Sequence, residues 1–285
     1  MEPDPEEEEH IPPARDQVER FLEDYATARE GRAFPLYTYF ADLDELLGGL
    51  RPGELSLLAA RPATGATTLA LSIVRSLSVL RSTPTVYEST TLSPAQMIER
   101  IVAGLGKLPV HSLRYGFLSR GEVRTMTEAA ELIAAAPLHL ALARAKSLEA
   151  ILDRWTWLRR EHKVQLFVFD GLADLASGSE SEAASLVRRL RTAARELEAH
   201  VLVLCPLHPS AEGESSPTLS DLWGGLKLEL TADKILLLSR AREPASAEGT
   251  VSLALRVAIN KSGATGVALL DFRLETLRIQ SATVL

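Results

Sequence analysis

The stretch "LSLLAARPATGATT", residues 55–68, decides the fold. Leu55 to Ala60 carry no charge and read as a buried strand. Pro62 and Gly65 then break the run, and helical spacing resumes near Thr67. Strand, glycine-containing loop and helix make the setting that a phosphate-gripping loop requires. The grip lies in the backbone: successive N–H groups and a helix N-terminus converge on an anion, and glycine lets the main chain come close. Gly65 supplies that approach, Thr67 stands where a hydroxyl reaches Mg2+, and Thr68 can cap phosphate oxygens. The slot between Gly65 and Thr67, which the G-K-[ST] template fills with lysine, holds Ala66. The ammonium that neutralises the β and γ phosphates is therefore missing. Taken alone, such a loop reads more readily as a plain turn.

Working outward, "TPTVYE" reads as a second strand, and "SPAQMIERIVAGL" as a helix with Ser93 as N-cap and Pro94 at N1. "RGEVRTMTEAAELIAAA" reads as a helix and "LHLAL" as a short strand. "SLEAILDRWTWLRREH" predicts a helix whose tryptophans pack on the sheet. "VQLFVFD" is a near-continuous apolar run, the mark of a parallel strand covered on both faces. Asp170 closes it, about a hundred residues after the loop, where phosphoryl-transfer folds hold the Mg2+ shell; a turn or N-cap role fits that aspartate equally well. Residues 180–199 predict a helix, "HVLVLCPL" a strand, and residues 208–217 a polar loop. "KILLLSR", "VSLALRVAIN" and "GVALLDFRL" follow as antiparallel hairpins. The sum is an α/β domain with a mainly parallel central sheet, helices on both faces and C-terminal hairpins.

The chain has 285 residues, 46% hydrophobic and 24% charged, an ordinary globular composition. Its net charge is −7, but six acids fall within the first nine residues, leaving 32 acids against 31 Lys and Arg. A nearly neutral body argues against tight binding of a phosphate backbone. "MEPDPEEEEHIPP" reads as a disordered acidic tail. Residues 14–30 place Val18, Phe21, Leu22 and Tyr25 at helical spacing, an amphipathic helix for this domain or a neighbouring subunit. No run suits a membrane span or a secretory signal. The single cysteine, Cys205, sits in an apolar run as a buried thiol, which together with these features predicts a cytoplasmic protein. His208 has no metal-ligand partner nearby in sequence and reads as a surface residue.

"GLRPGELSLLAARPATGATT" resembles the DnaB-type replicative helicases in their RecA-like C-terminal domain, whose loop runs A-A-R-P-x-x-G-K-T-T. The Ala-Arg-Pro opening is its most specific feature. "SPAQMIERI", "FVFDGLADL" and "LSDLWGGLKLELTADKILLL" extend the similarity from about Tyr37 to Leu277. The resemblance implies a RecA-like P-loop NTPase fold over residues 34–285, a linker-like helix at 14–33 and the tail at 1–13. The family's N-terminal partner-binding domain is expected to be lacking. By the family pattern the loop residues Arg61, Pro62, Ala63, Thr64, Gly65, Ala66, Thr67 and Thr68 form the nucleotide site, with Thr67 and Asp170 on Mg2+.

The departures from that pattern are systematic. The water-polarising glutamate aligns with Thr91, with Glu88 three residues earlier on the strand end. The γ-phosphate-sensing glutamine aligns with Pro206, the trans-acting arginine with Lys261, and its companion lysine with Ile259. An arginine of the DNA-facing segment is replaced by Trp223, and the preceding loop "PSAEGESSP" is acidic. Losing one positioning or charge-stabilising group typically costs roughly 10²–10³-fold in rate. Ala66, Thr91, Pro206 and Lys261 together predict a degenerate site whose binding of ATP and Mg2+ is weak or absent. The resemblance further implies self-association through helix 14–30, as a ring or a fragment of one, or a helicase or other protein partner. Single-stranded DNA binding is disfavoured. Two other readings stay open: an active ATP-dependent helicase or translocase, and a scaffold that binds no nucleotide.

Overall fold

The computed structural model describes residues 35–143, 147–208, 216–241 and 248–282, with scattered positions between 13 and 26. Residues 1–12 of the expected tail and 209–215 of the expected polar loop lie outside the described residues. Met1–Pro35 and Leu36–Leu285 form separate compact units. In the first, Ala14, Arg15, Val18, Glu19, Leu22, Tyr25 and Ala26 are helical, and Arg15 donates to Glu19 one turn on at 3.2 Å.

The second unit is built on nine strands: β1 (Leu55–Ala60), β2 (Thr85–Ser89), β3 (Leu138–Leu142), β4 (Leu166–Asp170), β5 (His200–Pro206), β6 (Lys234–Arg240), β7 (Thr250–Asn260), β8 (Gly266–Arg273) and β9 (Arg278–Ser281). They form one sheet in the order β3-β2-β4-β5-β1-β6-β7-β8-β9. The first six positions are parallel, and β7 to β9 continue the sheet antiparallel. β1 is buried at every position, as its uncharged sequence requires of a strand covered on both faces. Leu55, Leu57 and Ala59 join Phe167 and Phe169 of β4, Val201 and Val203 of β5, and helices Leu148–His162 and Glu180–Glu196 in one core. Helix Ala66–Val74 packs against β1 and β9, and helix Pro94–Gly106 packs against it in turn.

Local chemistry explains several helix starts. Ser93 accepts from the Gln96 amide while Gln96 reaches back to the Ser93 amide, and Ser119 and Glu122 repeat the arrangement. Three features depart from the sequence reading. The helix after the loop passes into a π-helical turn at Arg75–Val79, a change of winding that apolar periodicity does not reveal. Short helices at Val110–Tyr115 and Leu226–Thr231, and strand β9, are too brief to stand out as periodic segments. Of the two helix tryptophans, Trp155 is fully buried and stacks on Phe167 at 4.8 Å, whereas Trp157 faces outward, half exposed.

Candidate functional site

In open α/β sheets ligands settle outside the carboxyl ends of the strands, where the strand order reverses. The chain leaving β1 crosses to β2, on the far side of β5 and β4, whereas β1's other neighbour is β6. A cleft of about 700 Å³ opens where β1, β4 and β5 end. Its walls include Gly65, Thr67, Thr91, Asp170, Pro206 and Phe272. It therefore brings together the loop and two of the positions at which the sequence departs from the helicase pattern.

The loop turns tightly. Ala63 has φ 60° and Gly65 φ 114°, and the Thr64 amide donates to the Arg61 carbonyl at 3.3 Å. At Gly65 a β-carbon would sit 3.3 Å from the Phe272 ring, so both the backbone angle and the packing favour glycine there. Helix Ala66–Val74 begins at Gly65 without a side-chain cap, and its first residues line the cleft. Its orphan amides and the positive end of its dipole thus favour an anion at that spot.

Thr67 Oγ1 donates to Asp170 Oδ2 at 3.0 Å, closing a span of 103 residues. The Tyr87 hydroxyl, reached from β2, donates to the same oxygen at 2.9 Å. Burial raises the Asp170 pKa. The hydrogen bonds from Tyr87 and Thr67 and the charge of Arg100 pull it down, and Asp174 pushes it up again. Burial and the facing carboxylate push the Tyr87 phenol well above its ordinary value, so it stays a donor. Thr90 also donates to Asp174, which lines the cleft. Sequence reasoning passed over Tyr87, Arg100 and Asp174. Only the β2–β4 register, with Tyr87 beside Val168 and Ser89 beside Asp170, brings the first of them to the site.

A hydroxyl and a carboxylate side by side suit Mg2+, which takes one or two protein oxygens and completes its octahedron with water and phosphate. Among the described residues no group of three or more His, Cys, Asp and Glu side chains could hold a metal by itself.

Glu88 is not in the cleft. Strand alternation turns it to the opposite face from Tyr87, where it is fully buried. There it accepts from the Trp155 indole at 3.0 Å and pairs with Arg154. Thr91 lines the cleft, but its amide and hydroxyl both meet the Ser89 hydroxyl, at 3.2 and 3.3 Å. Pro206 ends β5 at the cleft wall. Lys261 lies elsewhere, its ammonium donating to the Leu230 carbonyl at 3.3 Å and lying 3.9 Å from Asp233. Ile259 and Trp223 pack against the core. His208 stands 3.5 Å from Glu180 at the surface. Cys205 is buried, which pushes its thiol up to about 12. No helix among the described residues is long and apolar enough to cross a membrane.

The family model for the DnaB-like helicase C terminal domain matches residues 35–281. A probable plasmid replicative DNA helicase of Chlamydia trachomatis is 30% identical over 225 residues, covering 77% of this chain and 49% of the relative. The replicative DNA helicase DnaB of Leifsonia xyli is 28% identical over 219 residues, covering 74% of this chain and 48% of its own. The chain thus spans about half the length of the curated relatives it matches. A solved ATPase domain superposes with a TM-score of 0.81 at 21% identity, over 94% of this chain and 98% of the other. A DnaB-like replicative helicase, solved in a study of its interactions with primase, gives 0.78 at 22% identity, over 93% of this chain and 66% of the other. The chain belongs to the DnaB-like helicase C-terminal domain family, and its α/β sheet has the RecA-like form of these helicase domains.

Proposed function

We propose that this member of the DnaB-like helicase C-terminal domain family binds a magnesium–nucleoside triphosphate in the cleft but does not turn it over as a motor. It would serve as an assembly or regulatory protein in DNA replication or related DNA transactions. The observation that carries this reading is the Thr67–Asp170 pair, held at 3.0 Å beside an uncapped helix start whose first residue is Ala66. In this reading the uncapped helix start supplies the backbone cradle and Thr67 and Asp170 supply the magnesium oxygens, without a phosphate lysine. Bound Mg2+ would neutralise phosphate charge; Thr67 and Asp170 would hold it, and the first amides of helix Ala66–Val74 would orient the phosphates.

Hydrolysis needs more than a cradle, because phosphoryl transfer depends on oriented water and on charge stabilisation. Thr91 offers no carboxylate, and Glu88 is occupied by Trp155 and Arg154 on the other face of β2. Pro206 has no side-chain donor with which to sense a phosphate. Lys261 is engaged by its own chain, at Leu230 and Asp233. Such groups act together, so their penalties do not simply multiply. In the same reading residues 14–33 form a linker, helix 14–30 seats the chain on a neighbouring copy or on a helicase partner, and single-stranded DNA is not a ligand.

Thermal unfolding tests the proposal. Mg-ATP at 100 times its Kd adds about 2.7 kcal/mol to a protein that binds it only when folded. The melting temperature is expected to rise with Mg-ATP, and Asp170→Asn to remove the rise. DNA-stimulated phosphate release that disappears in Asp170→Ala would overturn the proposal in favour of an active translocase. A melting temperature indifferent to Mg-ATP would favour a nucleotide-independent scaffold.

A further inference from the structure

The cleft lacks its loop cation but is not without positive charge. Two basic side chains line it, Arg61 and Arg100. Arg100 comes from helix Pro94–Gly106 and reaches the same cleft as Gly65, Ala66, Thr67 and Thr68. It is close enough to Asp170 and Tyr87 for its charge to favour the ionised form of each. Among the described residues Arg100 makes no hydrogen bond or ion pair, whereas its helix neighbour Glu99 is bound by Arg114 at 2.6 Å.

Behind Arg100 lie two further guanidinium groups, Arg75 and Arg278, neither of which makes an ion pair among the described residues. Arg75 is 9% exposed and, with Arg100, lines a small cavity beside Thr68 and Ser72. Gly104 makes room for it: a β-carbon there would fall 2.5 Å from an Arg75 terminal nitrogen. Burial and the nearby charge of Arg278 push the Arg75 pKa down to about 10. Arg278 has a buried Nε without a hydrogen-bond partner. Buried cations are ordinarily paired, because leaving water uncompensated is costly. Arg75 is buried and Arg100 and Arg278 are half-buried, and among the described residues none of the three makes an ion pair, although the charge of Arg100 acts on Asp170. This local excess of positive charge favours an anion, and the cleft, which only Arg100 of the three lines, has room for one.

We propose that Arg100 stands in for the absent loop lysine, its guanidinium binding the phosphate oxygens of a nucleoside di- or triphosphate from the side of helix Pro94–Gly106. Arg75 and Arg278 act as positioning residues, holding the local potential positive without touching the ligand. A guanidinium suits the role because its planar fork binds phosphate oxygens in pairs. This inference rests on the nucleotide-binding reading above and names the residue that makes it work without Lys at 66.

The test compares ATP, ADP and adenosine binding by the full chain, each with Mg2+, for wild type, Arg100→Gln, Arg100→Lys and Ala66→Lys/Arg100→Gln. Arg124→Gln, on the exposed part of helix Arg120–Ala135, controls for net charge. Arg100→Gln is expected to weaken ATP and ADP at least tenfold while leaving adenosine unchanged. Arg100→Lys should retain much of the affinity, and the double variant should recover it. Wild type that binds ATP with Arg100→Gln equal to it would overturn this inference and leave the nucleotide-binding reading standing. Wild type that binds none of the three would overturn both. If Arg100→Gln does not fold, Arg100→Lys and the double variant decide: equal losses for adenosine and ATP in a folded variant would make Arg100 structural and sink the proposal.

Discussion

The two ends of β1 treat charge in opposite ways. At its start Asp233 takes the Leu55 amide at 3.0 Å and the Arg191 guanidinium at 2.7 and 3.1 Å, with Lys261 3.9 Å away. Burial alone would raise the Asp233 pKa, but Arg191 and the Leu55 amide more than offset it and leave it below the ordinary value. Beside it the fully buried Lys234 ammonium meets Glu54 and donates to Ser262 at 2.7 Å. At its end, six residues on, a loop without lysine faces an aspartate held only by hydroxyls and an arginine that acts on it by charge but makes no ion pair among the described residues. Charges satisfied within the chain fix β1 between its neighbours. Charges without an ion pair beside open space fit the ligand site proposed above. Cutting a partner should therefore damage stability at the first end and ligand binding at the second.

The largest effect is expected at the satisfied end. Asp233→Ala strips an acceptor from the Leu55 amide and from Arg191, whose side chain is 23% exposed. Breaking a buried pair by removing one partner costs about 3–5 kcal/mol. A urea midpoint within experimental error of wild type would show that the network does not brace β1.

His200, which opens β5, is next. Its Nδ1 donates to the Arg51 carbonyl at 2.9 Å and its Nε2 accepts from the Ser56 hydroxyl at 3.0 Å. Burial depresses its pKa from 6.5 to about 4, with the Arg51 carbonyl opposing and the Lys234 charge assisting. As pH falls below 6.5 the unfolded chain takes up a proton that the folded chain refuses. Stability is thus whole above that value and is lost progressively down to about pH 4, by roughly 3 kcal/mol. Denaturation curves across this window should be steeper in pH for wild type than for His200→Gln; equal slopes would contradict the assignment.

A smaller loss is expected at Glu88. Glu88→Ala leaves the buried Trp155 indole without its acceptor, a penalty of about 1–3 kcal/mol, and should leave Mg-nucleotide affinity unchanged. A loss of nucleotide affinity without a loss of stability would return Glu88 to the cleft and weaken the contrast between the two faces of β2.

Much of this was legible in the sequence where signals are local. The uncharged run Leu55–Ala60, the glycine at 65 and the aspartate closing β4 each announce themselves within a few residues, and the mainly parallel sheet with C-terminal hairpins follows from the alternation of elements. What stayed hidden depends on which face of an element a residue takes. Glu88 and Tyr87 are adjacent, and only the β2–β4 register says that the tyrosine reaches Asp170 while the glutamate turns to Trp155. Arg100 was hidden for a related reason: an arginine on an amphipathic helix is ordinarily solvated, and nothing local shows that its side lines the cleft. Lys261 aligned with a residue that acts on a neighbouring subunit, yet its ammonium caps the carbonyl end of helix Leu226–Thr231, a contact set by the β6–β7 pairing.

The unsatisfied end is tested most directly by titrating a fluorescent ATP analogue, with and without Mg2+, into wild type and Ala66→Lys. A site complete except for its loop cation predicts weak, magnesium-dependent binding by wild type and about tenfold tighter binding by the variant, equivalent to roughly 1.4 kcal/mol. Absence of binding by both proteins, with the fold intact, would contradict it.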